Sequence, residues 1–235
     1  MTQLKQFIAS LDWEMISNHL DQEGFAVLPG LLDESSIQAF KEMLDGSNNN
    51  DHLSLEVLGI GRGELILLPD VPGSILNLLK EALFGHLVPI ANRWCETLGG
   101  ESRYPESLRE FQEQNRRAGQ TKSQSSLTVL RDRDHIGLHQ LTEGIHVFPL
   151  QVVALLSKPH DDFEGGEFVM SEQRPRMQSR PIVVPMTQGD AAIISVSQRP
   201  FRGSKGHYRV NMKHAVSRVR EGTRLGLDLL FHDVH

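Results

Sequence analysis

Two histidines and an arginine have the types and spacing to do chemistry together. His139 stands in Leu138-His139-Gln140-Leu141-Thr142-Glu143-Gly144, His214 follows 75 residues later, and Arg224 ten after that. Each sits in a short run that alternates like a β-strand. Two imidazoles leaving facing strands can take adjacent positions on a metal ion, and an arginine one strand over can grip a carboxylate with both prongs of its guanidinium. The chain has eleven histidines, so on spacing alone ordinary core or surface histidines remain an equal reading.

The elements that must position these residues fall in two parts. Thr2 to about Leu20 carries a helical stripe (Leu4, Phe7, Ile8, Leu11, Met15, Ile16), and Phe25 to Pro29 reads as a short strand. Asp33 is placed to cap a helix carrying Ile37, Phe40 and Leu44. Leu53 to Leu68 looks strand-like around a glycine-rich turn, Gly59-Ile60-Gly61-Arg62-Gly63. Glu64 replaces the third glycine of a dinucleotide fingerprint there, so the turn reads as a bulge or hairpin. Ser74 to Leu98 is apolar on most sides and is expected to cover a sheet, with a kink at Pro89. Tyr104 to Ala118 is expected to be helical, with Pro105 in its first turn and Gly119 at its end. From Leu127 the pattern changes to short Val, Ile and Leu runs broken at Asp161-Asp162, Gly165-Gly166, Arg174-Pro175, Gly189-Asp190 and Gly203. That spacing predicts a jelly roll or barrel. The expectation is one α+β domain over 1–235, helical support over 1–124 and a jelly-roll core over 125–235.

Composition narrows the function classes. Hydrophobic content of 39% and charged content of 23% are those of a globular protein. No apolar run has the length of a membrane span, the N-terminus lacks a signal-peptide centre, and Cys95 is the sole cysteine. A disulfide framework or cysteine zinc cage is excluded, and a cytoplasmic location is expected. The net charge is −6, yet Arg174 to Arg224 holds nine Arg and two Lys against Asp190 and Glu221. That segment therefore carries a surplus of nine, and the rest of the chain −15. Such a balance disfavours gripping a long nucleic acid and suits a small anionic ligand near the basic segment. The same arginines can equally pair with the acidic N-terminal half. No phosphate-binding loop, zinc-protease helix or serine nucleophile elbow occurs.

A set of motifs in fixed order carries a resemblance. They are Leu138-His139-Gln140, Phe148-Pro149-Leu150-Gln151, Asp162 to Phe168, Glu172-Gln173-Arg174-Pro175-Arg176, Gln188-Gly189-Asp190, His214 to Arg218, and Phe231-His232-Asp233. From about Leu65 to the C-terminus the chain resembles the iron(II)/2-oxoglutarate-dependent dioxygenases. In particular it looks like a bacterial branch described as nucleic-acid-modifying oxygenases. The resemblance implies a double-stranded β-helix with N-terminal helices packed on one face, and Fe(II) and 2-oxoglutarate as cofactors. It matches His139 and His214 to the family's two iron-binding histidines and Arg224 to the arginine on the distal carboxylate of 2-oxoglutarate. It further implies an oxidation such as hydroxylation of a small, anionic or nucleotide-like substrate.

The family pattern is His-x-Asp, and this chain has His139-Gln140-Leu141, whose leucine offers no donor atom. Three readings follow. Glu143 shares strand parity with His139, about 7 Å along an extended strand, and a turn at Gly144 can swing it back as a surrogate ligand. Alternatively the two histidines hold the metal without a protein carboxylate, as in the family's halogenases. Or iron binding is lost, leaving a ligand-binding protein or the partner subunit of an active paralogue. An acid outside the motif, such as Asp134, is a further source. Arg218 is expected beside the cosubstrate, and Arg174, Arg176 and Arg180 at the pocket mouth, facing phosphate or carboxylate. His146 and His207 are expected near the rim, and His232 to His235 at a frayed end. A homodimer is compatible with this reading.

Overall fold

A computed structural model describes residues 2–100, 103–204 and 206–235. Five helices form the first layer: α1 (Thr2–Ser10), α2 (Trp13–Glu23), α3 (Glu34–Asp45), α4 (Ile75–Thr97) and α5 (Leu108–Arg117). The single N-terminal helix expected from periodicity is two. Asp12 accepts from the Met15 N–H and caps a new helix, which Gly24 ends in the left-handed conformation at φ 81°. The Asp33 cap of α3 is as expected, its carboxylate accepting from the Ser36 N–H at 2.8 Å. Helix α5 starts later than Pro105 suggested, because Ser107 takes the N-cap role through the Glu110 N–H. α4 runs unbroken through Pro89.

Behind the helices lie two facing sheets. The larger has the order Phe25–Leu28, Ala191–Ser195, Leu150–Leu155, Arg224–Leu229, Ser126–Leu130, Glu64–Leu67, His52–Ser54. The smaller runs Arg180–Val183, Phe168–Gln173, Gly206–Val216, His135–His139, Gly61–Arg62, with Gln198–Gly203 also paired to Gly206–Val216. Every pairing in both is antiparallel. From Ser126 onward the principal strands alternate between the sheets: Ser126–Leu130 large, His135–His139 small, Leu150–Leu155 large, and so to Arg224–Leu229. That alternation is a double-stranded β-helix, the jelly roll expected from the sequence. The N-terminal part also supplies edge strands to both sheets, so the helical support and the jelly roll share one body.

Alternation along each strand assigns two cores. Leu225, Leu227 and Leu229 face α4 and join Leu79, Leu83, Phe84 and Leu87, while Arg224, Gly226 and Asp228 face the space between the sheets. The inner core holds Leu130, Val153, Leu155, Phe168, Met170 and Met212. No helix among the described residues is long and apolar enough to cross a membrane.

The chain end is built in rather than frayed. Asp233–Val234 pairs with Lys122–Ser123, and His232 is fully buried, its acidity constant pushed down to about 4 mainly by that burial. Leu229, Leu230 and Phe231 drag the following histidine inside with them.

Candidate metal centre and carboxylate pocket

His139 closes its strand, and His214 is its register partner on the neighbouring strand, with an irregularity in the pairing before Val216. Their ring centroids are 4.2 Å apart and tilted by 55°. Nδ1 of His139 lies 2.9 Å from the Gly137 carbonyl. Donating its N–H there leaves Nε2 as the bare lone pair, the usual way a strand orients an imidazole toward a metal. His214 is buried, stacked on Phe168, and has its Nε2 3.3 Å from the Gln151 side-chain amide. Its Nδ1 and the Gln151 Oε1 have no hydrogen-bond partner among the described residues. Turning the Gln151 amide over lets Oε1 accept an Nε2–H from His214, leaving the imidazole Nδ1 as the lone pair. Burial, then the neighbouring His139, push the His214 acidity constant well below that of an ordinary histidine. A neutral imidazole is the form that binds metal.

Arg224 faces this pair from the other sheet. Its guanidinium is almost wholly buried, and its Nε donates to the Gly166 carbonyl at 2.8 Å. Among the described residues no carboxylate lies within ion-pair distance of it. Burial pushes its acidity constant down to about 10, which still leaves a cation at neutral pH. Two glycines make room for it. A Cβ at Gly166 would stand 2.9 Å from the Arg224 Cδ, and one at Gly226 would stand 2.7 Å from its guanidinium and 2.8 Å from the Thr128 hydroxyl. Gly166 also has φ 62°, where a side chain is strained.

His139, His214, Arg224, Thr128 and Asp228 line one narrow cleft of about 20 Å³. A second cleft of about 210 Å³, walled by Phe163 to Phe168 and Val183 to Met186, meets it at Phe168 and Arg224. The pocket thus offers two nitrogen donors on one wall and a buried cation on the other. That suits a transition metal chelated by an anion whose far carboxylate reaches the arginine. Two imidazoles fit such a metal. Among the described residues, however, no three His, Cys, Asp or Glu side chains already stand at ligand spacing.

The remaining expected residues lie elsewhere. Glu143 is exposed on the loop after the strand, because the strand ends at His139 and parity does not carry past it. Gln140 holds that exit by donating to the carbonyls of Ser197 and Met212. Asp134 is engaged by the Arg131 N–H at 2.8 Å and by Arg62 at 3.1 Å. Arg218 opens onto a surface hollow with Asp132, Arg133 and Arg220, away from the Arg224 pocket. Arg174 is tied to Glu172 at 2.7 Å and lies 3.9 Å over the Phe201 ring, while Arg176 and Arg180 are exposed. His146 is held through its backbone by Gln120. His207 is exposed roughly 23 Å along the strand from His214, at seven residues of extended chain. Thr128, Gly226 and Asp228 were not singled out by sequence reasoning, and Gln151 stood there only as the end of a motif. Their alternation with leucines and valines was the available signal.

The fold is that of solved 2-oxoglutarate and iron(II) oxygenases. A prolyl-4-hydroxylase from Pseudomonas putida superposes with a TM-score of 0.55 at 10% identity, covering 92% of this chain and 96% of that one. A Burkholderia pseudomallei oxidoreductase of the 2OG-Fe(II) oxygenase family gives 0.55 at 16%, covering 96% and 93%. Within the superfamily the chain belongs to the family described as "Oxygenase, catalysing oxidative methylation of damaged DNA" (Oxygenase-NA), whose profile matches residues 64–234. An uncharacterized protein of Mycobacterium tuberculosis, in strains CDC 1551 and H37Rv, is 37% identical over 177 residues, 75% of this chain and 76% of its own length. The chain is an oxygenase by family.

Proposed function

We propose that this oxygenase uses iron(II) and 2-oxoglutarate to oxidise, by hydroxylation or a related C–H oxidation, a small anionic or nucleotide-like molecule. The observation that carries the reading is the joint placement of His139, His214 and Arg224 around one cleft. His139 and His214 would hold the metal, and Arg224 the distal carboxylate of 2-oxoglutarate. Once bound, iron and 2-oxoglutarate supply the oxidising power, dioxygen being reduced as 2-oxoglutarate loses carbon dioxide to become succinate. The chain's own part is to exclude water and hold the anion. Phe168 and the inner apolar core close the space around the histidines, which strengthens the attraction between Arg224 and a carboxylate. The net charge of −6 supports a small ligand over a long nucleic acid.

Titrating the protein with Fe(II) and 2-oxoglutarate without oxygen is expected to give the visible charge-transfer band of a chelated ferrous centre. The band should require both components, and its absence at high metal would defeat the reading. A milder test uses the glycine spacer. Gly226→Ala pushes on the Arg224 guanidinium and is expected to raise the Kd for 2-oxoglutarate about tenfold, or ~1.4 kcal/mol. Calorimetry on the anaerobic iron-loaded protein checks it, and an unchanged Kd would place the cosubstrate elsewhere.

A further inference from the structure

The His-x-Asp carboxylate is missing, yet the cleft does contain one acid. Asp228 lies on the strand Arg224–Leu229, four residues after Arg224 and on the same inward face. It is the only Asp or Glu among the residues lining the cleft, opposite His139 and His214. No hydrogen bond or ion pair engages its side chain among the described residues.

A carboxylate half-buried among apolar neighbours and left without a partner among the described residues is costly, so its partner is sought in what the cleft binds. Arg224 explains it incompletely, since the guanidinium donates to Gly166 and is not within ion-pair distance of Asp228. A ferrous ion on two neutral imidazoles beside Arg224 would put three positive charges in a cleft whose only fixed negative charge is Asp228. Two imidazoles and one carboxylate is also the donor set that suits iron(II) with positions left open. Other acids near the first histidine are unsuited: Glu143 is exposed and Asp134 is engaged.

We propose that Asp228 supplies the carboxylate ligand that Leu141 lacks, reaching across from the facing sheet to join His139 and His214 on the metal. The inference rests on the iron reading above. Rotation of the Asp228 side chain must close the set, as the three groups do not stand at ligand spacing without the ion.

The test measures metal affinity rather than turnover. Full-length protein is titrated with Fe(II) alone, and separately with Co(II) for its visible spectrum, both anaerobically. Three proteins are compared: wild type, Asp228→Asn and the double variant Leu141→Asp/Asp228→Asn, each first shown by urea unfolding to be folded. Asp228→Asn is expected to raise the Fe(II) Kd at least tenfold and to change the Co(II) bands. Leu141→Asp in that background is expected to restore affinity to within a few-fold of wild type. Should the wild type bind no iron, the oxygenase mechanism proposed above fails at its first step. If the wild type binds and Asp228→Asn binds equally well, the mechanism stands and Asp228 is not a ligand. The inference is likewise overturned if Asp228→Asn alters only 2-oxoglutarate affinity, which would make Asp228 the counter-ion of Arg224.

Discussion

Arg224→Met is expected to weaken 2-oxoglutarate binding by two to three orders of magnitude, about 3–4 kcal/mol, while leaving Fe(II) affinity close to wild type. The size follows from the surroundings of the guanidinium. It is almost wholly buried, has one hydrogen bond to Gly166, and has no carboxylate at ion-pair distance among the described residues. Its remaining donors are therefore available to an incoming carboxylate in a place shielded from water. The metal is left alone because Arg224 is not among its ligands, and His139 and His214 come from the opposite sheet. Arg224→Lys should recover only part of the loss, since an ammonium has the charge but not the planar fork. Stability should change little or rise, because the variant removes a buried cation that the native fold does not pair. Calorimetric titration of 2-oxoglutarate into the anaerobic iron-loaded protein reads the effect. A Kd within threefold of wild type would show that the cosubstrate carboxylate goes elsewhere.

The same pocket shows what local sequence can and cannot reveal. His139, His214 and Arg224 were legible because strand alternation and their spacing put each on a different strand, and the surrounding motifs put those strands in one fold. Gly166 and Gly226 were not, because their role is defined by the Arg224 side chain that crosses them. Asp228 was hidden for a related reason. In Leu227-Asp228-Leu229 it looks like a polar residue on an outward face, and only the covering of Leu225, Leu227 and Leu229 by α4 turns it inward. Glu143 lies exposed outside the cleft because parity does not carry beyond the end of the strand at His139, where Gln140 bonds to distant carbonyls. The paired chain end and the split between α1 and α2 show the same contrast. A strand pairing more than a hundred residues apart is not legible locally, and the continuous apolar stripe hid the break that the Asp12 cap makes.

The largest stability effect is expected at a charge cluster outside the pocket. Arg199 and Glu172 are both buried and form an ion pair, with Arg174 bonded to the other carboxylate oxygen at 2.7 Å. Arg199 also donates to the Asp21 carbonyl at 2.7 Å, fastening the end of α2 to the hairpin beside the smaller sheet. Arg199→Met keeps the bulk but leaves the Glu172 carboxylate buried against Arg174 alone, and should cost about 3–5 kcal/mol. Glu172→Gln in the same chain should recover much of that, because it removes the stranded charge. Burial would raise the acidity constant of Glu172, but the hydrogen bonds and charges of Arg174 and Arg199 outweigh it and hold the carboxyl below its ordinary value. A carboxyl depressed in the folded state stabilises above its unfolded value, and that contribution is lost as pH falls through the folded one. The gap between wild type and Arg199→Met should therefore be full at pH 7 and narrow below about pH 4. Urea unfolding at the two pH values measures it. A cost under 1 kcal/mol at neutral pH would mean that Arg174 alone compensates Glu172.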